Sequence, residues 1–172
     1  MDIHPDSENR VSLLLEKLKQ RNALLISVES CTGGLIANRI TDVSGSSQVF
    51  WGGMIVYDNR FKETLVKVSP EILAEHGAVS APVAEALASG GVDFLENISP
   101  KAKLLYAVST TGIAGPTGGS AEKPVGLCYV GAAGPRGVVH RKVQAPSGLS
   151  RIENKFYFSE QALTLLESII HD

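Results

Sequence analysis

A pair of serines and a downstream lysine could together carry out nucleophilic catalysis. Ser46 and Ser47 belong to a Gly-Ser-Ser turn, and Lys62 follows fifteen residues after Ser47. A serine hydroxyl is a weak nucleophile until a neighbouring base accepts its proton, and a lysine can be that base when burial lowers its pKa. The spacing leaves a second interpretation open, in which the serines are turn residues and Lys62 is a solvated helix lysine.

Cys31 is the other possible nucleophile, because it precedes a predicted helix and a thiolate at a helix N-terminus has a lowered pKa. A free cysteine is, however, more often a small buried residue. The four histidines are scattered, and neither they nor Cys31 and Cys128 show the spacing of metal ligands. We therefore expect no metal ion in the site.

Three polar loops rich in glycine could bind an anionic ligand, and they cover residues 29–34, 44–47 and 110–119. Nine of the 17 glycines lie between residues 33 and 53 or between residues 112 and 119, so glycine is concentrated around these loops. Glycine lets backbone N–H groups approach a phosphate or an oxyanion closely. The chain lacks the two common nucleotide-binding fingerprints, however, and tight turns alone would also call for glycine.

Alternating strands and helices must position these loops. Short apolar runs predict buried strands at residues 24–28 and 104–109, and aromatic and β-branched residues predict a strand at 49–57 with a bulge at Gly52-Gly53. Hydroxyl caps and prolines predict helix starts, the last of them a capping box at Ser150. This order predicts an α/β fold, a three-layer α/β/α sandwich with a mixed central sheet. In such sheets, ligands bind beyond the carboxyl ends of the strands.

The composition is that of an ordinary globular domain. The length of 172 residues fits a single domain over residues 1–172, with residues 1–9 as a flexible N-terminal segment. A formal net charge of −2 argues against nucleic acid as a partner. No apolar stretch is long enough to span a membrane, and the polar N-terminus does not resemble a secretory signal. We expect a cytoplasmic protein that has no membrane partner.

Four motifs, in this order along the chain, resemble the CinA C-terminal domain family. They are Glu-Ser-Cys-Thr-Gly-Gly at residues 29–34, Gly-Ser-Ser at 45–47, Tyr57 with Asn59 and Lys62, and Thr-Gly-Ile-Ala-Gly-Pro at 111–116. The resemblance implies a nicotinamide mononucleotide deamidase. Such an enzyme releases nicotinate mononucleotide and ammonia without a cofactor, in the recycling of pyridine nucleotides. Longer members carry a further N-terminal domain for which 172 residues leave no room, so the chain resembles the stand-alone form.

The resemblance also implies roles for individual residues. Ser47 matches the nucleophile, Lys62 matches the base, and Tyr57 is a second candidate proton donor to the leaving ammonia. The residues that it implies for substrate binding are Ser30, Thr32, Gly33, Gly45, Ser46, Asn59, Thr111, Gly112 and Arg151. Of these, Arg151 would contact the phosphate, and Lys155 is the alternative.

Two other functions remain open. One is a non-catalytic module of the competence- and damage-inducible type that binds a nucleotide or a partner protein. The other is a serine amidase that acts on a different small amide. The joint presence of Ser47, Tyr57 and Lys62 favours an enzyme, because a binding module needs neither a nucleophile nor a base. We also expect a homo-oligomer, with the apolar segment 49–56 in the subunit interface.

Overall fold

A computed structural model describes residues 5–99 and 104–170 of the chain. Within those residues, five strands form one sheet in the order β2-β1-β3-β4-β5. The strands are β1 (Ala23–Glu29), β2 (Phe50–Ile55), β3 (Leu104–Gly112), β4 (Leu127–Gly134) and β5 (Gly137–Gln144). The helices are α1 (Pro5–Gln20), α2 (Leu35–Thr41), α3 (Asn59–Val66), α4 (Pro70–His76), α5 (Ala81–Ile98) and α6 (Arg151–Ile169).

The sheet is mixed, as predicted. Strand β1 runs parallel to both β2 and β3, whereas β3 with β4 and β4 with β5 are antiparallel. A bulge is present one residue before the predicted Gly52-Gly53, because the register between β1 and β2 shifts between Leu25 and Ile26, which pair with Phe50 and Gly52. Trp51 is therefore the extra residue of the bulge.

Two apolar layers hold helices on opposite faces of this sheet. Leu25 and Tyr106 belong to a core that also contains Phe158 of α6. Their neighbours Ile26 and Ala107 point the other way and belong to a second core with α5. Successive residues of a strand face opposite sides, so each strand contributes to both layers. The predicted three-layer α/β/α sandwich is confirmed.

Helix α1 includes part of the predicted N-terminal segment. The helix begins at Pro5, six residues before the apolar stripe that starts at Val11. Residues 5–9 of that segment therefore belong to the helix. The remainder of the predicted segment, residues 1–4, lies outside the described residues.

The carboxyl ends of the three parallel strands meet at one edge of the sheet. Glu29, the last residue of β1, pairs with Ile55 at the end of β2 and with Thr110 near the end of β3. The loops that follow β1 and β3 must therefore adjoin each other. This edge brings together two of the three glycine-rich loops, those at 29–34 and 110–119.

Candidate active site

A cavity of about 260 Å³ opens at the carboxyl edge of the sheet. Its lining contains six of the residues that the sequence predicts for the site: Ser30, Tyr57, Lys62, Thr111, Gly112 and Arg151. The volume is near the lower end for small-molecule pockets, which suits a compact ligand.

Lys62 is buried in the wall of this cavity, with 1% of its surface exposed. It lies in the first turn of α3, which begins after Asp58; the Asp58 carboxylate caps that helix by accepting from the Arg60 backbone N–H at 2.9 Å. Burial lowers the pKa of Lys62 below its ordinary value of 10.5, and the negative charge of Asp58 opposes the shift. A larger fraction of Lys62 is therefore neutral near physiological pH than for an exposed lysine.

Two hydrogen bonds hold the Lys62 amine in place. Its Nζ donates to the Tyr57 carbonyl oxygen at 3.0 Å and to Asn59 Oδ1 at 3.3 Å. A neutral amine has two N–H groups and one lone pair, and these two acceptors engage both N–H groups. The lone pair is left to accept a proton from a nucleophile. Asn59 thus contributes to the site by orienting Lys62, and it is not part of the cavity lining.

Ser30 lies in the same cavity and is almost buried, with 8% of its surface exposed. Its backbone N–H donates to the Thr110 carbonyl oxygen at 3.1 Å, which ties the end of β1 to β3. Within the described residues, its hydroxyl has no hydrogen-bond partner. The Ser30 hydroxyl is therefore free to meet a ligand that enters the cavity.

The turn that carries Ser30 is built on a buried carboxylate, Glu29. Its two oxygens accept from the backbone N–H groups of Gly34 at 2.9 Å, Ile36 at 3.1 Å and Ala37 at 2.9 Å. The Ser27 and Thr32 hydroxyls add bonds of 3.1 and 2.7 Å. Glu29 thereby satisfies the start of α2, whose own cap residue offers no side-chain acceptor.

The Thr32 hydroxyl, which the sequence predicts to contact the substrate, forms hydrogen bonds within the protein. Its fully buried hydroxyl bonds to Glu29 and lies 2.8 Å from the Thr110 hydroxyl. It does not line the cavity. Thr111 does line the cavity, and its hydroxyl donates to the Ala78 carbonyl oxygen at 2.6 Å.

Ser47 lies at the opposite edge of the sheet from Lys62, so the structure does not bring these two predicted residues together within one chain. Ser47 precedes β2, whereas Tyr57 and Lys62 follow it. A strand of six residues spans about 20 Å at roughly 3.3 Å per residue. Ser47 is exposed, and its neighbours Gly45 and Ser46 line a separate cavity against α1. These three residues are therefore not part of the Lys62 site.

The start of α6 brings Arg151 to the rim of the Lys62 cavity and places Lys155, one turn further on, outside the cavity lining. Arg151 donates to the Gly115 carbonyl oxygen at 2.6 Å and to the Tyr57 hydroxyl at 3.2 Å. The Lys155 ammonium lies over Gly33, 3.4 Å from the point where a β-carbon on that residue would be. Gly33 also has a φ of 61°, a conformation that suits glycine. Cations at a helix N-terminus oppose the helix dipole, so this arrangement is suited to an anionic ligand between them.

Comparison with known proteins identifies the family. A model of the CinA C-terminal domain matches residues 7–170. The chain belongs to the CinA C-terminal domain family. A CinA-like protein of Synechococcus sp. is 50% identical over 132 residues, which are 77% of this chain and 30% of that protein. A putative competence-damage inducible protein of Caldanaerobacter subterraneus is 43% identical over 150 residues, which are 87% of this chain and 35% of that protein.

The chain therefore spans about a third of the length of these CinA relatives. Among solved structures, the competence/damage inducible protein CihA from Agrobacterium tumefaciens matches with a TM-score of 0.87 and 35% identity, covering 99% of this chain and 100% of that one. A CinA superfamily protein from Escherichia coli matches with a TM-score of 0.83 at 23% identity, over 98% of this chain and 95% of that one, and shows the same fold.

Three residues at this cavity were not among the predicted site residues. Ala78 and Val79 line the cavity although they belong to a connection between two helices. Asn154, buried on α6, donates to the Ala114 carbonyl oxygen at 3.1 Å and so holds the loop after β3. Cys31, which the sequence suggested as an alternative nucleophile, also lines the cavity.

Within residues 5–99 and 104–170, no group of three His, Cys, Asp or Glu side chains could hold a metal ion. No helix in the same residues has the length and apolar character needed to cross a membrane.

Proposed function

We propose that this CinA-family chain is an amidohydrolase that converts nicotinamide mononucleotide to nicotinate mononucleotide and ammonia. One observation carries the proposal. A free serine hydroxyl, Ser30, and a buried lysine amine, Lys62, line one cavity whose rim bears the Arg151 guanidinium. A nucleophile, a base and a cation are what hydrolysis of a carboxamide on a phosphate-bearing substrate requires.

In the proposed reaction, Ser30 Oγ attacks the carboxamide carbon while its proton passes to Lys62 Nζ. The backbone N–H of Cys31 is the candidate donor to the oxyanion, since it has no hydrogen-bond partner in the described chain. Lys62 then gives its proton to the departing ammonia, and the C–N bond breaks to leave an acyl-enzyme. Water, deprotonated by Lys62, hydrolyses the ester and restores Ser30.

Tyr57 has a supporting part in this scheme. Its carbonyl oxygen orients Lys62, and its hydroxyl accepts a hydrogen bond from Arg151. Because the oxygen is the acceptor there, the phenolic proton stays available for the substrate. Tyr57 is therefore the second candidate for protonating the leaving ammonia.

The charge at the rim supports a phosphate on the substrate. Arg151 lies at the cavity rim, Lys155 lies one helical turn further along α6, and the N-terminus of that helix adds a positive potential beside Arg151. A neutral nucleoside would make none of these interactions. We therefore expect nicotinamide mononucleotide to react with a higher kcat/KM than nicotinamide riboside, chiefly through a lower KM.

Ammonia release from a substrate panel tests the proposal. The panel contains nicotinamide mononucleotide, nicotinamide riboside and NAD at equal concentrations. We expect the fastest ammonia release from the mononucleotide and the slowest from the riboside. Release from none of the three would overturn the amidohydrolase assignment and favour the non-catalytic binding module. Equal release from mononucleotide and riboside would overturn the phosphate contact at α6.

A further inference from the structure

Two cysteine thiols that the proposed reaction does not use meet at the cavity wall. Cys31 Sγ and Cys128 Sγ are 3.7 Å apart although the residues are 97 positions apart in the chain. Both are free thiols. Cys31 lines the cavity, whereas Cys128 on β4 is completely buried.

A glycine on the neighbouring strand leaves the space for this contact. Gly112 of β3 pairs with Cys128 across the ladder. A β-carbon on Gly112 would lie 2.8 Å from the β-carbon of Cys128, closer than side chains tolerate. Glycine at this position lets Cys128 occupy the space under the first loop, where it reaches Cys31.

We propose that Cys31 and Cys128 form a reversible disulfide that switches off the adjacent site. The effect on activity rests on the proposed function, whereas the formation of the disulfide does not. Of the two thiols, Cys31 is the one that a small oxidant can reach, because it lines the cavity. Cys128 is the resolving thiol, and burial raises its pKa well above the ordinary value, so it stays protonated until Cys31 has reacted.

The reaction needs a peroxide as oxidant and is balanced by water. The Cys31 sulfur attacks one oxygen of hydrogen peroxide, the O–O bond breaks, and a sulfenic acid and one water form. Cys128 sulfur then attacks the Cys31 sulfur, the S–OH bond breaks, and a second water leaves with the proton of the Cys128 thiol. Two thiols are oxidised and one peroxide is reduced. A dithiol such as dithiothreitol returns the two electrons by exchange.

Closing this bond displaces Cys31, the residue next to the nucleophile. A disulfide has a sulfur separation of about 2.05 Å, so the two sulfurs approach each other by roughly 1.6 Å from their present distance. Cys128 is held at the start of β4, which pairs with β3 on one side and β5 on the other, and Cys31 follows Ser30 directly. A misplacement of about 1 Å at a reacting group can lower a rate on the order of 100-fold.

Peptide mapping of the folded protein tests the disulfide itself. Protein treated with hydrogen peroxide is alkylated with N-ethylmaleimide, digested without reduction and examined by mass spectrometry. We expect a peptide that links Cys31 to Cys128, a mass loss of two hydrogens, and no alkylated thiol. Peptides with both thiols alkylated, or with Cys31 oxidised and Cys128 still free, would overturn the proposal.

Activity and amide exchange test the switch. Diamide oxidises thiol pairs, and we expect it to lower nicotinamide mononucleotide hydrolysis at least tenfold, with recovery in dithiothreitol. Diamide should leave Cys128→Ser active; Cys128→Ala replaces it if the serine variant does not fold.

Amide exchange in residues 29–34 should change on oxidation of the native protein alone. A linked peptide with unchanged activity and exchange would overturn the switch. If neither redox state hydrolyses the substrate, the proposed function fails, and mapping and exchange still decide this inference.

Discussion

Ser30 and Ser47 offer the same hydroxyl chemistry in different surroundings. Ser30 is almost buried in the cavity that contains Lys62, and Ser47 is exposed beyond the far end of β2. We expect Ser30→Ala to lower kcat at least 1000-fold, on the order of the loss seen when a serine nucleophile is removed. Ser47→Ala is the matched control and should keep kcat within about twofold. Ammonia release measures both, and a fully active Ser30→Ala protein would refute the role of Ser30.

The protonation state of Lys62 sets the pH dependence that we expect for the reaction. A base must be neutral, so kcat/KM rises with pH as Lys62 loses its proton. Burial lowers the pKa of Lys62, so the midpoint of this rise lies below 10.5, the ordinary value for lysine. The profile of kcat/KM between pH 6 and 10 measures it.

Lys62→Arg is the control for that profile. An arginine stays protonated over the whole range, so the rising limb should disappear and kcat should fall at least 100-fold. The same limb in Lys62→Arg as in the native enzyme would assign the titration to another group.

At the scale of single elements, Glu29 joins β1 to α2 and sets the turn between them. Glu29→Gln keeps the size but turns an NH₂ group toward donors that need an acceptor. We expect a loss of about 2 kcal/mol or more in the free energy of unfolding, because buried bonds to a charged acceptor are lost. Urea denaturation measures it. The exposed Glu96→Gln should change stability by less than about 0.5 kcal/mol.

Helix α5 supports the base through a close contact with α3. A β-carbon on Gly90 would lie 2.1 Å from the carbonyl oxygen of Val66, which ends the helix that carries Lys62. Alanine favours a helix over glycine by about 1 kcal/mol. Its methyl group would, however, meet the Val66 backbone, which has no room to move. We therefore expect Gly90→Ala to lose about 2 kcal/mol or more in thermal or urea unfolding. Ser89→Ala, on the same helix, should lie within about 0.5 kcal/mol of the native protein.

At the scale of the whole molecule, local patterns predicted the layers of the fold. Apolar runs marked β1 and β3, and the hydroxyl cap with its glutamate marked the start of α6. The site was predicted less completely. Ser47 stands before β2, so the rule that ligands bind at carboxyl strand ends would have excluded it. The contact of Cys31 with Cys128 depends on tertiary packing over 97 positions, for which the sequence has no local signal.

The predicted homo-oligomer has a candidate surface along the free edge of the sheet. Trp51 and Ile55 of β2 and Phe61 of α3 are each about half exposed, at 48, 53 and 55%. An edge strand with large apolar neighbours favours association with a second copy. We expect light scattering to give at least a dimer and Trp51→Glu to lower the mass. Leu13→Glu, on α1, should leave it unchanged, and a monomeric native protein would contradict the prediction.

The hydrogen bonds of Lys62 show that the base and the residues that orient it come from one short segment of the chain. Its two acceptors belong to Tyr57 and Asn59, so the base and its supports lie within six consecutive residues. The nucleophile and its buried carboxylate likewise occupy one short segment, residues 29–37. Each segment contains most of its own hydrogen-bond partners, and the sheet fixes the position of one segment relative to the other. The effects on activity of a substitution in one segment and of a substitution in the other should therefore be additive, apart from the step in which the proton passes between them.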